Sequence, residues 1–341
     1  MQLWDDLLRP ADVTAYLRIL PDANPDNLGQ YLPTRLINGI KSRVVRTTRT
    51  KTTARYRSYN AETPIGDRPW TVATTDITLP PLGQKLALQE WEQLQLQAAQ
   101  VGVGAISDQI KASIYDDASN AIAAIRNRIA LARGDFLTDG KFTLTAENGL
   151  TMEYDAGLPT SHKPTAGTLW SNTTTSTPLS DEIAWNRLIR VEAQSPPTWA
   201  VAPIATVDFM RKNAEYKAAY WGGATVQPTL TLNQLNEARA ANGLPPLAIN
   251  DATVSVDGTV TRLLPANKFL TGNDQVGETQ MGITAQSLNL VRAGVMTFAD
   301  APGIYGGVYA EEDPITIWTL VAATCMPVAG DILGLVAATV L

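Results

Sequence analysis

Histidine and cysteine are almost missing from this chain. His162 and Cys325 are the only ones among 341 residues. A disulfide within the chain is therefore excluded, and so is a Cys/His zinc site. Any Ser-His-Asp or Cys-His centre would have to use His162. That residue sits in Thr160-Ser161-His162-Lys163-Pro164, a polar stretch that reads as a surface loop. Cys325, in Ala322-Ala323-Thr324-Cys325-Met326, reads as a small buried residue. Such sparing use of cysteine fits a reducing compartment.

Charge is scarce as well. Asp, Glu, Lys and Arg make up 18%, against roughly 25% in an ordinary globular domain. Hydrophobic residues make up 45%, ample for a core. A chain that hides much of its surface against partners needs little charge. The net charge of -6 and the pI of about 5.0 argue against a general nucleic-acid binder. Long apolar runs are missing too. The uncharged section 315–330 has 16 residues and contains Pro327, and Asp331 follows it. A membrane-spanning helix needs about 20. Buried strands are expected there, and no membrane partner. The start, Met1-Gln2-Leu3-Trp4-Asp5-Asp6, has acids where a secretory signal has bases, so none is expected. The length allows one large domain or two or three small ones.

The charges that are present are unevenly placed. Between Asn27 and Ala61 there is no acidic residue. The same stretch carries Arg35, Lys41, Arg43, Arg46, Arg49, Lys51, Arg55 and Arg57, eight of the chain's 27 basic residues. Arg43-Val44-Val45-Arg46-Thr47-Thr48-Arg49-Thr50 is β-prone. With Arg68-Pro69-Trp70-Thr71-Val72 and Ile77-Thr78-Leu79 it predicts two long antiparallel strands, closed by a turn near 62–67. A two-stranded ribbon is marginal in water, so it must lie on something else. The bland alternative is a solvated basic face.

Before the ribbon, residues 7–20 read as a short helix or arm broken by Pro10. Pro80-Pro81 should end the ribbon, and 85–100 should be helical. Gly102-Val103-Gly104 lacks the third glycine and the strand context of a dinucleotide fingerprint. Ile106, Ile110, Ile114, Ala118, Ile122, Ile125, Ile129 and Ala132 recur every three or four residues, which predicts a long helix over about 105–133. Arg126, Arg128 and Arg133 suit its C-terminal end, and Gly134 is its expected C′ residue. Phe142-Thr143-Leu144-Thr145 and Leu150-Thr151-Met152-Glu153-Tyr154 flank an Asn-Gly turn, a hairpin signal. Residues 160–177 read as loop.

The second half alternates helix and strand signals. Ser180 is read as the cap of a helix, followed by a buried strand at Trp199-Ala200-Val201-Ala202. A helix from Thr206 or Asp208 to Tyr220, another over 232–241, and a strand at Leu247-Ala248-Ile249 follow. Asp257-Gly258 marks a second hairpin, and Lys268-Phe269-Leu270 a strand. The tail supplies strands at 315–320 and 332–340. The fold class expected is α+β.

This order of elements resembles the HK97-like major capsid fold. The wording is similar to the lambda-type branch, the phage major capsid protein E family. Gly140-Lys141-Phe142-Thr143-Leu144-Thr145 resembles its hairpin start. Thr168-Leu169-Trp170-Ser171 with Thr177-Pro178-Leu179-Ser180-Asp181-Glu182-Ile183 resembles its approach to the second domain. Leu264-Pro265-Ala266-Asn267-Lys268-Phe269-Leu270-Thr271-Gly272-Asn273 and Glu312-Asp313-Pro314 resemble two later segments. The likeness spans roughly residue 40 to the end.

The resemblance implies an N-terminal arm over 1–33 and an extended hairpin, the E-loop, over 34–82. It implies a P domain over 83–177, with the spine helix at about 105–133 and a β-hairpin at about 141–155. An α/β A domain over 178–310 follows, then closing strands over 311–341 shared between A and P domains. It also implies a structural subunit of hexamers and pentamers in an icosahedral head, assembled in the host cytoplasm and located in the virion capsid. Scaffold and portal proteins, a decoration protein at three-fold positions and packaged double-stranded DNA are the implied partners. No enzyme activity, cofactor or metal is implied. Self-crosslinking through a lysine such as Lys51 is not expected, because no pattern picks out its partner.

Inter-subunit contacts are expected from Arg43, Arg46, Arg49, Lys51, Arg55 and Arg57 on the E-loop. Asp108, Asp116 and Asp117 on the spine helix are the acidic acceptors considered. Three alternatives stand beside this reading. One is an encapsulin-like cargo shell of the same fold. Another is an enzyme on an unrelated α/β fold using Glu311/Glu312 or Asp116/Asp117. The third is a nucleic-acid binder using 35–57, which predicts steep salt dependence.

Overall fold

The computed structural model describes residues 2–3, 10–21, 27–49, 56–57, 59, 70–98, 106–147, 149–222 and 228–341. In chain order the first elements are β1 (Gln2–Leu3), α1 (Pro10–Ile19), β2 (Thr34–Leu36), β3 (Lys41–Arg49), β4 (Trp70–Thr78) and β5 (Pro81–Gln89). Then come α2 (Glu90–Ala98), α3 (Ile106–Asp139), β6 (Lys141–Glu147), β7 (Leu150–Asp155), α4 (Pro178–Glu192) and β8 (Trp199–Ala202). They are followed by α5 (Ile204–Lys212), α6 (Ala214–Trp221), α7 (Leu232–Ala241), β9 (Leu247–Ile249), β10 (Thr253–Val256) and β11 (Thr259–Arg262). The chain closes with β12 (Lys268–Gly272), β13 (Gly277–Met281), α8 (Ala285–Arg292), β14 (Tyr305–Glu312), β15 (Ile315–Ala329) and β16 (Leu335–Thr339). Two compact units divide these elements.

The first unit comprises 1–42, 78–134 and 278–327. It holds a six-stranded sheet in the order β1-β14-β15-β13-β2, with β5 also paired to β15. β15 is buried along nearly its whole length. Its β-branched and apolar run suits a central strand, because both faces need covering. β14 runs antiparallel to it from Tyr305↔Ala322 to Glu312↔Ile315. β5 does the same from Thr316↔Gln89 to Thr324↔Pro81. The α3 stripe Ile114, Ala118, Ile122, Ile125 and Ile129 packs with Leu88, Met281, Val308, Ile317 and Val321, and α1 adds Val13 and Leu17. Arg126 of α3 donates to the carbonyls of Leu20 at 2.6 Å and Pro21 at 3.0 Å. These oxygens lie just past the end of α1, where a cation is favourable. Arg133 donates to Thr279 Oγ1 at 2.9 Å and Thr34 Oγ1 at 2.8 Å, fixing α3 against β13 and β2.

The second unit comprises 43–77, 135–277 and 328–341. Its main sheet has four strands in the order β16-β12-β8-β9. β12 is antiparallel to β16 and β8, and β8 is parallel to β9. Trp170, Trp185 and Phe269 form an aromatic cluster with ring centroids 5.3–5.9 Å apart. Leu235, Val207, Met210 and Val336 extend that core. The hairpins β6–β7 and β10–β11 are two-stranded sheets, and so is the ribbon β3–β4.

Several sequence expectations change. His162 is not on the surface. It is fully buried, with Nδ1 2.7 Å from the Leu335 carbonyl and Nε2 2.9 Å from Glu192 Oε2. The long helix does not stop at Gly134. It runs through that glycine to Asp139, and Gly140, at φ 75°, takes the left-handed position. Residues 85–89, expected as the start of a helix, are the end of strand β5, because β15 supplies their ladder, and the helix begins at Glu90. Pro10 starts α1 instead of breaking it, as proline does at a first helical position. Ser180 lies inside α4, whose N-cap is Thr177. The helix expected up to Tyr220 is two helices, α5 and α6. Asn213 separates them and caps α6 by accepting from Glu215 N.

Candidate inter-subunit surface

The ribbon carries the arginines expected to make inter-subunit contacts. The backbone of β3 carries Arg43, Arg46 and Arg49. Arg43 Nε donates to Asp76 Oδ1 across to β4 at 3.1 Å, with both side chains more than half exposed. Arg57 is exposed, and so are Tyr56 and Tyr59 on either side of it. Lys51, Arg55 and the turn expected near 62–67 lie outside the described residues, as do the side chains of Arg46, Arg49 and Asp108. The same holds for Gly102 to Gly104.

The acids expected as acceptors lie on the first unit. Asp116 on α3 is exposed and Asp117 is half-buried. Partial burial raises the Asp117 carboxyl above its usual range, and the negative charges of Glu92 and Asp116 add to that. Glu92 belongs to α2, where its Oε2 accepts from Gln89 N at 3.1 Å. Sequence reasoning missed Glu92 because α2 and α3 are brought together only by the fold. It also passed over Trp91 and Leu94 on α2, 68% and 49% exposed. A lone tryptophan in a Gln- and Leu-rich run was the available signal.

Two of the residues weighed for chemistry have their surroundings defined. Glu311 Oε2 accepts from Trp318 Nε1 at 2.9 Å. Cys325 is free and buried, and burial pushes its thiol up to about 12. Among the described residues no cluster of three or more His, Cys, Asp or Glu is placed to hold a metal ion. No described helix is long and apolar enough to cross a membrane.

The family model for phage major capsid protein E matches residues 10–340. The chain belongs to that family. It is thus a phage major capsid protein, a structural component of the virion capsid. No curated protein matches it in sequence. Solved structures place its fold. A capsid protein assigned to a prophage of E. coli CFT073 is 17% identical, with a TM-score of 0.57 over 79% of this chain and 80% of that one. A phage-related protein from Bordetella bronchiseptica RB50 is 11% identical, with a TM-score of 0.55 over 98% and 97%. The virus-like particle from Pyrococcus furiosus is 10% identical, with a TM-score of 0.50 over 96% and 98%. The fold of the capsid protein is α+β and HK97-like.

Proposed function

We propose that this capsid protein assembles as hexamers and pentamers into an icosahedral head that encloses double-stranded DNA. In this reading residues 34–82 are the E-loop of each subunit and reach across a neighbour. The observation that carries it is the ribbon itself. β3 and β4 form a two-stranded sheet joined by no third described strand. Such a sheet is marginal in water and gains stability from a covering surface. Its acid-free, arginine-rich sequence calls for an acidic surface, and guanidinium forks pair well with carboxylates at interfaces.

The remaining assignments follow from the same reading. Residues 1–33 are the arm, 83–177 the P domain, 178–310 the A domain and 311–341 the closing strands. Scaffold and portal proteins direct assembly, a decoration protein reinforces three-fold positions, and the shell expands as DNA enters. The net charge of -6 suits a container whose DNA must move, since strong phosphate contacts would stall it.

Electron microscopy of the protein co-expressed with its neighbouring genes tests this. Closed icosahedral shells with a portal vertex are expected. Shells that lack a portal and hold protein cargo would replace the DNA container with a cargo compartment. A stable monomer under all conditions would overturn the assembly reading.

A further inference from the structure

His162 is the chain's one histidine, and it is buried between two acceptors. It closes the single helical turn Thr160–His162, in the connection between β7 and α4. Nδ1 lies 2.7 Å from the carbonyl of Leu335, the first residue of β16. Nε2 lies 2.9 Å from Oε2 of Glu192, the last residue of α4. The carbonyl has no proton to give, so Nδ1 donates to it. A neutral imidazole donates from one nitrogen only, and its Nε2 lone pair would then face a carboxylate oxygen that also only accepts. Both hydrogen bonds form together only when the pair holds one proton more than a neutral ring and a carboxylate.

Two observations put that proton on the ring. The Glu192 side chain is 35% exposed, so water helps its carboxylate stay ionised. Glu192 also ends α4, where the helix dipole disfavours an anion and favours a cation. A positive ring there answers both the carboxylate and the helix end. Burial opposes a charged ring, and the two charge-assisted hydrogen bonds offset that cost. The other charges nearby are few. Arg190 of α4 donates to the Gly243 carbonyl. β16 itself carries no titratable residue, and Asp331 precedes it. Lys163 follows His162, and its charge acts on Asp155 at the end of β7 and on Lys268 of β12. Lys268 in turn donates to Thr339 Oγ1 and feels the charge of Asp139.

We propose that His162 and Glu192 form a proton-held clasp, in which a two-donor imidazolium ties the segment 160–170 to α4 and β16. The same segment continues along β16, where Ala166 N donates to the Thr339 carbonyl at 2.9 Å and Trp170 N to the Val340 carbonyl at 2.7 Å. The folded pair binds a proton that the unfolded chain releases more readily, so the clasp's contribution falls as pH rises. It is complete below about 6.5, where an unfolded histidine titrates, and is lost at higher pH as the ring deprotonates. The neutral ring keeps its bond to Leu335 and turns a lone pair on Glu192, which loosens the segment from α4.

Nitrogen NMR of the full-length subunit, labelled in the histidine ring, tests this, because one histidine gives one pair of ring signals. Both ring nitrogens are expected to carry protons at about pH 7. The variant Glu192→Gln offers an amide that donates to Nε2, so a neutral ring satisfies both neighbours. Its ring is expected to be neutral, with the proton on Nδ1 alone. Hydrogen exchange at Ala166 and Trp170 gives a second readout. Between about pH 6 and about pH 9, wild-type exchange should accelerate relative to Glu192→Gln by about two- to thirtyfold, the range a cation at a helix end gives. A neutral wild-type ring at about pH 7, or an exchange ratio that does not change with pH, would overturn the clasp. The wild-type spectrum decides alone if Glu192→Gln does not fold.

Discussion

Thr14 and Gly306 bond each other twice. The Thr14 hydroxyl donates to the Gly306 carbonyl at 2.9 Å, and the Gly306 N–H donates to Thr14 Oγ1 at 3.1 Å. The pair fastens α1 to β14 across 292 residues of sequence. Gly306 leaves room for the helix as well. A Cβ there would lie 2.3 Å from Leu17 Cδ1 and 3.1 Å from Val13 Cγ1.

Two substitutions probe this attachment separately. Thr14→Val keeps the shape and strands two buried backbone groups, which costs about 1–3 kcal/mol. Gly306→Ala keeps both hydrogen bonds and pushes α1 away, at about 1–3 kcal/mol for an overpacked core. Denaturant midpoints of the unassembled subunit measure both. If each variant unfolds with the wild type, the helix is not held by this pair.

In the second unit Glu182 and Arg239 form an ion pair with neither side chain exposed to solvent. Tyr216 donates to the other carboxylate oxygen at 2.5 Å, and Arg239 also donates to the Pro245 carbonyl. Burial pushes the Glu182 carboxyl above its usual range, and the guanidinium pulls it back. Three helices, α4, α6 and α7, meet at this network. Removing one partner leaves the other charge buried alone, at about 3–5 kcal/mol. Arg239→Met and Glu182→Leu should therefore each destabilise strongly. The triple variant Glu182→Leu, Tyr216→Phe, Arg239→Met removes every polar side chain of the network, leaving only the Pro245 carbonyl, and should recover most of the loss. Thermal unfolding of the three proteins decides. A triple variant no more stable than the singles would refute the burial argument.

The β6–β7 hairpin gives a pH-dependent prediction. Lys141 Nζ lies 2.9 Å from Glu153 and 3.0 Å from Asp155, and its hydrogen bonds to Glu153 and to Asp155, with their negative charges, raise its pKa. The Asp155 carboxyl is lowered, first by the Gly157 N–H that it accepts at 2.7 Å and then by Lys141. A depressed carboxylate stabilises the fold above its unfolded pKa, about 3.9, and that contribution is lost as pH falls through the lower folded value. The stability difference between wild type and Asp155→Asn should thus shrink below about pH 4. Paired unfolding curves at pH 6 and at acid pH test it, and a constant difference would reject the assignment.

What was legible in the sequence was local. The Asp257-Gly258 turn reads directly, since φ values of 49° and 82° are those a tight hairpin asks of that dipeptide. The α3 stripe reads for the same reason, because side chains four apart share a face. His162 did not read, since Leu335 is 173 residues away and Glu192 30. Residues 85–89 misled because Lys, Leu, Ala and Gln favour helix, and a distant strand overrules that preference. Gly134 looked like a helix end, yet α3 runs through it. Gly140 is the stop, and a Cβ there would sit 2.6 Å from the Leu158 Cβ. Among the candidate residues the basic run was visible at once, whereas the effect of the Glu92 charge on Asp117 arises only in the folded chain.

The ribbon carries the last prediction. Arg43 and Asp76 are 72% and 55% exposed, so their ion pair contributes no more than about 0–1 kcal/mol to the subunit's own stability. Arg43→Glu with Arg46→Glu should accordingly leave circular dichroism and the unfolding midpoint close to wild type. Assembly is a different matter. Each subunit in a shell would present the altered ribbon to an acidic neighbour, and like charges at a contact cost affinity and register in every copy. Small losses repeated around each ring remove the closed particle, so negative stain should show folded subunits and no shells. Raising salt should not rescue the double variant, because screening weakens repulsion without restoring the missing pairs. Normal particles from this variant would mean that the ribbon's cations do not hold subunits together.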